Sequence, residues 1–314
     1  MEKIPVLAVV GPTASGKTRL SVELAKEFEA EIISFDSMQL YKTMDVATAK
    51  PTVEEMQGIK HHLVDVIDPS VEYSVAKFKE DADAIASDIS ARGSNIVMVG
   101  GTGLYIDTFI NNIQLLESEG NDEIREKLKA ELLETGPEAM HEKLREIDPE
   151  SAEKINFNNT GRVLRALEVY YLTGYTMSYQ VANSKLEPSR YEPLYIGISA
   201  RDRDVLYNRI NLRVDLMIEN GLLDEAREYL DSNIGNTASQ AIGIKEMIPY
   251  LKGEKTLEEC AEQLKTDTRH YAKRQLTWFR RNENVHWLFL DDYDSFDDLV
   301  GEAVKLVKQS GIFD

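Results

Sequence analysis

The sequence predicts an α/β fold, a doubly wound parallel sheet whose chain is interrupted by a helical insertion. Three observations predict it. Short β-branched apolar runs alternate with helix-period segments, a glycine-rich turn joins the first run to the first helix, and a long acidic stretch without strand pattern fills the middle of the chain. Runs that are apolar on both faces belong to strands covered by helices on each side. Strand–helix alternation makes the connections right-handed crossovers and the sheet parallel.

The strands are read at Val6 to Val10, Glu31 to Phe35, His62 to Ile67, Asn95 to Val99, Leu194 to Ser199 and Val285 to Leu290. Between the early ones, Thr18 to Phe28 and Ser74 to Ser90 carry apolar residues at helical spacing. From about Glu117 to Lys185 the pattern is helical, and strand character returns at Leu194 after Pro188 and Pro193. The chain therefore divides into a first core segment (1–115), a helical insertion (116–190) and a second core segment (191–314). The last segment carries helices over Asp202 to Asp231 and Leu257 to Arg281.

A chain of 314 residues, 42% hydrophobic and 29% charged, has the composition of a globular protein with a sizeable core. No apolar run approaches the roughly 18–20 residues of a membrane span, so no membrane partner is expected. Met1 to Pro5 leads into the first strand without the apolar core of a signal peptide. The single cysteine, Cys260, excludes an intrachain disulfide and a cysteine-rich zinc site. A cytoplasmic protein is expected.

The net charge of −19 speaks against nucleic-acid binding when taken as a sum. Its distribution changes that reading. Acids gather between Glu117 and Glu153 and in the tail, at Asp291, Asp292, Asp294, Asp297 and Asp298. The segment from Arg269 to Arg281 holds Arg269, Lys273, Arg274, Arg280 and Arg281 and no acid. A basic patch on an acidic body is compatible with both facts.

After the first strand, Gly11-Pro12-Thr13-Ala14-Ser15-Gly16-Lys17-Thr18 fits G-x-x-x-x-G-K-[ST]. A strand before it and a helix after it make this a P-loop, and the fold P-loop NTPase-like. Its amides would surround an anion at a helix N-terminus. Lys17 would contact phosphate oxygens, and the Thr18 hydroxyl would hold Mg²⁺. Kinases, ATPases and GTPases share this loop, so the reaction has to be read from other residues.

The second strand runs into Asp36-Ser37-Met38-Gln39-Leu40-Tyr41. Strand carboxyl ends line the ligand crevice of an open parallel sheet, which puts Asp36 near the P-loop. Three uses stay open for its carboxylate: a Mg²⁺ ligand, a general base, or a cap of the following turn. Gln39 and Tyr41 beside it are of the types that read or stack on a base. A second small-residue turn, Gly100-Gly101-Thr102-Gly103, follows the fourth run and offers amides and the Thr102 hydroxyl to an anion.

These segments together resemble the tRNA dimethylallyltransferase family. The matching blocks are the P-loop, Asp36 to Tyr41, Met44 to Pro51, His61 to Asp65, Gly100 to Tyr105, Arg162 to Val169 and Lys273 to Arg280, in order and across essentially the whole chain. The resemblance implies transfer of a prenyl group from dimethylallyl diphosphate, with Mg²⁺, to the exocyclic amine of the adenosine 3′ of the anticodon.

Matched position by position, it makes Asp36 the general base and Gly11, Pro12, Thr13, Ala14, Ser15, Gly16, Lys17 and Thr18 the diphosphate cradle. Thr102 then lies at the reaction centre, and Arg213 and Arg209 clamp the diphosphate. Asp36, Ser37, Met38, Gln39, Thr102, Arg125, Gly161, Arg162, Val163, Leu164 and Arg165 fall in tRNA-contacting segments. So do Gln240, Ala241, Ile242, Gly243, Ile244 and Lys245.

The chemistry agrees with this. An aromatic amine needs its proton removed as the C–N bond forms, which suits a positioned carboxylate. Charge develops on the departing diphosphate, which suits a P-loop, Lys17 and an arginine. The acceptor adenine must leave its stack, and a basic helix with interleaved aromatics suits a single-stranded loop. On the Arg269–Arg281 helix, Lys273 and Arg274 are the expected RNA contacts, while Trp278 and Phe279 pack inward.

The chain departs from the family at Asn156-Phe157-Asn158, usually His-Pro-Asn, and at Gly243-Ile244-Lys245, usually Gly-Tyr-Lys. No zinc finger of the kind found in some eukaryotic members is read, which implies a bacterial form. His61 and His62 look like a metal pair but match a structural segment. The expected partners are the tRNA anticodon stem-loop and dimethylallyl diphosphate, bound by a monomer. Rival readings are an adenylate isopentenyltransferase acting on free AMP, a small-molecule kinase, and an RNA-binding protein with a regulatory nucleotide site.

Overall fold

In the computed structural model, which describes residues 3–114, 122–184, 187–230, 232, 234–235 and 237–314, the chain begins with β1 (Ile4–Val10) and α1 (Lys17–Glu27). β2 (Ala30–Ser34), α2 (Val53–Met56), β3 (His61–His62), α3 (Val75–Ala91), β4 (Asn95–Gly100) and α4 (Gly103–Ile110) follow. Next come α5 (Asp122–Ile147), α6 (Pro149–Lys154), α7 (Thr160–Thr173) and α8 (Met177–Asn183). The chain returns with β5 (Tyr191–Ser199), α9 (Arg203–Glu219), α10 (Leu222–Leu230), α11 (Ile244–Leu251) and α12 (Leu257–Phe279), and closes with β6 (Val285–Phe289) and α13 (Phe296–Ser310).

The strands form one six-stranded sheet of order β3-β2-β4-β1-β5-β6, with every pairing parallel. β1 lies inside it, with Leu7 opposite Val97 of β4 on one side and Leu194 of β5 on the other. Side chains alternate across a strand, so its unbroken apolar run feeds two cores. Val6, Ala8 and Val10 join Phe35, Phe78, Met98 and Phe109 in one. Leu7 and Val9 join Leu20, Leu24, Ile196, Ile198 and Leu299 in the other. Each fully buried Leu or Phe side chain contributes roughly 1.5–3 kcal/mol of transfer free energy.

Polar caps fix where the helices start. Ser74 Oγ accepts from Lys77 N (3.1 Å) ahead of α3. Thr256 with Glu259, and Ser295 with Asp298, form capping boxes ahead of α12 and α13.

Two elements differ from the sequence reading. The strand expected over His62 to Ile67 shrinks to His61–His62, because Leu63 and Asp65 each take φ 59°. The remainder bonds to the loop after β2 instead, with Asp65 N donating to Gln39 O (2.9 Å) and Val66 N to Leu40 O (2.8 Å). β5 starts at Tyr191 and contains Pro193. β6 begins opposite Tyr195, so Pro193 has a neighbouring strand on one side only, where a missing N–H is tolerated. The helical region read over Asp202 to Asp231 is two helices, divided at Gly221 with φ 99°.

Residues 1–110 with 189–314 form one compact unit and Asn111–Pro188 a second. The boundary read at 115/116 lies outside the described residues. The second unit has its own core of Leu128, Met140, Leu144, Val163, Ala166 and Leu167. Its α5 is broken at Gly136 (φ 84°, ψ 169°), directly before Pro137. Asp148 begins α6 by accepting from Ser151 N (3.1 Å), and its other oxygen takes Ser178 N (3.0 Å), which ties α6 to α8.

Each histidine of the pair is held by a local contact. His62 Nε2 lies 2.7 Å from Glu31 Oε2, and His61 Nδ1 lies 2.9 Å from Ile59 O. Among the described residues no group of three or more His, Cys, Asp or Glu is placed to hold a metal.

Candidate active site

The turn after β1 has the backbone its glycines allow. Gly11 has φ 146°, and a Cβ there would lie 2.3 Å from Ile198 O. Gly16 has φ 99°, and a Cβ would lie 2.7 Å from the Phe296 ring. Neither position admits a side chain. Lys17 opens α1 and reaches back across the loop, its Nζ donating to Pro12 O (2.7 Å). Thr13 N donates to Gln275 Oε1 (2.8 Å), and Arg209 Nε donates to Ala14 O (2.8 Å). Ser15 is fully buried.

Burial pushes the Lys17 ammonium down to about 7; the Arg213 guanidinium adds to the effect and Asp36 opposes it. An anion in the loop would pair with this ammonium and pull its pKa up, so binding takes up a proton wherever the free group is neutral. The Lys17 contribution to affinity is thus complete below about pH 7 and is lost as pH rises above it. Calorimetry with inorganic diphosphate at pH 8, in buffers of different ionisation enthalpy, should report net proton uptake that vanishes in Lys17→Met. Equal uptake by both proteins would contradict the assignment.

Beyond β2, Asp36 does two things at once. Its Oδ1 accepts from Met38 N (2.9 Å) and Gln39 N (3.4 Å), the capping use that was left open. Oδ2 takes no hydrogen bond from the described residues, and Asp36 faces a cavity. Thr102 is brought beside this turn. Its N donates to Phe35 O (3.2 Å), and its Oγ1 accepts from Ser37 N (3.2 Å). Gln39 is spent on the loop, its Nε2 donating to Thr48 O (3.3 Å) and Ala49 O (3.2 Å). Tyr41 is fully buried in the core, which corrects its reading as a base-stacking residue.

The cavity has a volume of about 220 Å³ and joins what the sequence keeps apart. Its polar end is made by Thr13, Lys17, Thr18, Asp36, Ser37 and Arg213. Val99, Val214, Met217, Ile242 and Leu264 form an apolar wall, and Ser34, Met38, Gln39, Ala47 to Ala49, Gly100, Gln240, Thr268, Tyr271 and Gln275 complete the lining. Arg213 and Arg209 are one helical turn apart on α9, yet only Arg213 lines the cavity. Burial lowers the Arg213 pKa, while Asp36 and Glu55 work in the opposite direction. An enclosed guanidinium beside a carboxylate and an ammonium is an arrangement that favours a multiply charged anion.

One contributor carried no sequence signal. Glu225 of α10 accepts from Asp45 N (2.8 Å), Val46 N (2.7 Å) and Ala47 N (2.9 Å), and so holds the loop that walls one side of the cavity. Gly243, with φ 121°, would place a Cβ 3.0 Å from Ala47 Cβ. Ala241 and Ile244 beside it are buried in the core, so their segment meets a ligand through Gln240 and Ile242; Lys245 is exposed. Tyr271 and Gln275 come from α12, whose Lys273 and Arg274 face solvent. Trp278 and Phe279 pack inward as expected, with Trp278 Nε1 donating to Asp107 Oδ2 (2.9 Å).

The remaining expected contacts belong to the second unit. Arg125 and Arg165 each pair with the buried Glu168 at 2.9 Å. Gly161 and Arg162 are exposed in the first turn of α7. Val163 is buried in that unit's core and Leu164 packs against it, so their side chains serve packing.

Comparison with known proteins gives a consistent set of relatives. The family described as IPP transferase matches residues 39–282. A tRNA dimethylallyltransferase of Thermoanaerobacter sp. (strain X514) is 49% identical over 307 residues, covering 96% of this chain and 97% of the relative. The enzyme of the same name from Clostridioides difficile (strain 630) is 45% identical, covering 99% of each. The tRNA isopentenylpyrophosphate transferase of Bacillus halodurans has a crystal structure similar to this one, with a TM-score of 0.73 and 45% identity over 99% of this chain and 97% of that one. A eukaryotic dimethylallyltransferase solved acting on tRNA has a TM-score of 0.80 and 30% identity, covering 99% of this chain and 80% of that one.

Proposed function

The chain belongs to the IPP transferase family, and from that premise we infer that it is a prenyltransferase acting on tRNA. It transfers a dimethylallyl group from dimethylallyl diphosphate to the N6 amine of the adenosine 3′-adjacent to the anticodon, releasing diphosphate. The observation that carries this is the single cavity in which Asp36, Lys17, Thr13, Thr18 and Arg213 meet an apolar wall.

In the proposed mechanism the diphosphate lies against the P-loop, Lys17 and Arg213, and the prenyl chain against Val214, Met217 and Leu264. Asp36 takes the amine proton through Oδ2 as the C–N bond forms, while Oδ1 stays committed to the turn. Lys17 and Arg213 stabilise the charge left on the diphosphate. Thr102, fixed through Ser37, orients the acceptor.

The donor set at the P-loop fits Mg²⁺ that arrives with the diphosphate. Thr18 lines the cavity, and Mg²⁺ ordinarily takes substrate phosphate oxygens and water rather than an all-protein cage. Bound there, it would supply charge neutralisation on the leaving group.

The RNA is proposed to meet the exposed Lys273 and Arg274, the Gln240–Lys245 segment, and Arg162 of the helical unit. No helix of the described residues is long and apolar enough to cross a membrane. The enzyme is proposed to work in the cytoplasm as a monomer, since residues of one chain build the cavity. The relatives do not favour free AMP or a small-molecule phosphoryl acceptor as the substrate.

The test mixes the protein with labelled dimethylallyl diphosphate, Mg²⁺ and unmodified tRNA, AMP or ATP. Label is expected in tRNA alone. Label in AMP, or phosphate release from ATP without label transfer, would overturn the reading.

A further inference from the structure

The geometry points to Gln275 of α12 as a positioning residue that sets the shape of the anion cradle, and this rests on the reading of the P-loop as the diphosphate site. Gln275 is 5% exposed, and both ends of its amide are in use. Oε1 accepts from Thr13 N (2.8 Å) in the loop after β1, and Nε2 donates to Gly101 O (3.1 Å) in the turn after β4. β1 and β4 are sheet neighbours, with Val10 opposite Gly100, so one side chain bridges the two turns that flank the cavity.

The glycines of the second turn record the same clasp. A Cβ on Gly101 would lie 2.0 Å from Gln275 Nε2, and one on Gly103 would lie 2.2 Å from the Trp278 ring. Gly101 and Gly103 of that turn are where α12 lands, while Gly100 lines the cavity.

Partner chemistry dictates the residue type. Thr13 N–H can only donate and Gly101 O can only accept, so the bridging group needs one acceptor and one donor, fixed in orientation. A glutamine satisfies both, and a protonated glutamate can too. An ionised glutamate would set a charged oxygen against the Gly101 carbonyl. Leucine would leave a buried N–H and a buried C=O without partners. The peptide plane at Thr13 would then be free to rotate, and the loop would lose its preorganised shape.

The test compares wild type, Gln275→Glu and Gln275→Leu as full-length proteins. Binding of inorganic diphosphate with Mg²⁺ is measured by calorimetry, and transfer kinetics are measured with each substrate varied. Gln275→Leu should bind diphosphate roughly tenfold more weakly and raise KM for dimethylallyl diphosphate by a similar factor, with KM for tRNA within about twofold of wild type. Gln275→Glu should approach wild type near pH 5.5, where its carboxyl is protonated, and fall to about a tenth of it by pH 8. An ionised glutamate would also repel diphosphate directly, so the pH dependence supports positioning only together with the loss in the uncharged Gln275→Leu.

A Gln275→Glu profile parallel to wild type at every pH would overturn the assignment, even if Gln275→Leu does not fold. A rise confined to the tRNA KM would overturn it as well, by making Gln275 an RNA contact. If wild type itself bound no diphosphate, the reading of the cradle would fall, and the inference with it.

Discussion

Asp36→Ala is expected to lower turnover by about a hundredfold or more while tRNA binding stays near wild type, the usual scale for loss of a general base. The amine attacked in this reaction has its lone pair delocalised into the ring, so it becomes nucleophilic only as its proton leaves. Among the described residues Asp36 is the carboxylate lining the cavity, with one oxygen held by Met38 and Gln39 amides and the other open.

Alanine removes both functions, so Asp36→Asn is the companion variant. Its Oδ1 can still cap the turn, but it accepts no proton at neutral pH. Single-turnover rates should fall alike in both, and a nitrocellulose-filter Kd for tRNA should hold. If Asp36→Asn turned over near normally, Asp36 would be a cap and nothing more.

Arg213→Ala should cost about 10²–10³ in kcat, the range for removing one donor aimed at developing charge. Arg209→Ala should cost less, since Arg209 is exposed and its Nε is spent on the Ala14 carbonyl. Arg213 also lowers the Lys17 pKa, so its removal should move the alkaline limb of the rate profile to higher pH. Steady-state kinetics across pH with both substrates varied would show this. Unchanged kcat and an unmoved limb would reduce Arg213 to a counter-ion of Asp36.

The acidic body and the RNA substrate are compatible in physical terms. Phosphate contacts depend on local field, which decays within about 10 Å at ordinary salt. α12 exposes Lys273 and Arg274, and Arg280 and Arg281 follow it, also exposed. Many of the acids on α5 are neutralised by neighbours, as in the Glu123–Lys127, Glu126–Lys129 and Glu131–Lys143 pairs.

By itself the sequence determined the parallel sheet, the P-loop and the family, because each is written in local pattern. An apolar run such as Val6–Val10 has its burial dictated by its own composition, and a loop such as Gly11–Thr18 has its backbone dictated by its glycines. The Asp36 turn was legible for the same reason. Its end-of-strand position follows from chain order alone.

Tertiary structure alone decided what crosses the cavity. Gln275 and Thr13 lie 262 positions apart, and Glu225 lies 180 positions from Asp45 in the loop it holds. Nothing in the local sequence of Gln275 or Glu225 shows which partner it takes, since a glutamine or glutamate on a helix usually faces water. The same holds in reverse for the strand expected over His62 to Ile67. Its composition suited a strand, but the amides of Asp65 to Ile67 bond to Gln39 and Leu40 carbonyls, not to β2. A hydrogen bond acquires its partner only when folding brings distant segments together. A pattern read along the chain therefore shows which groups need partners, and packing selects which partners they find.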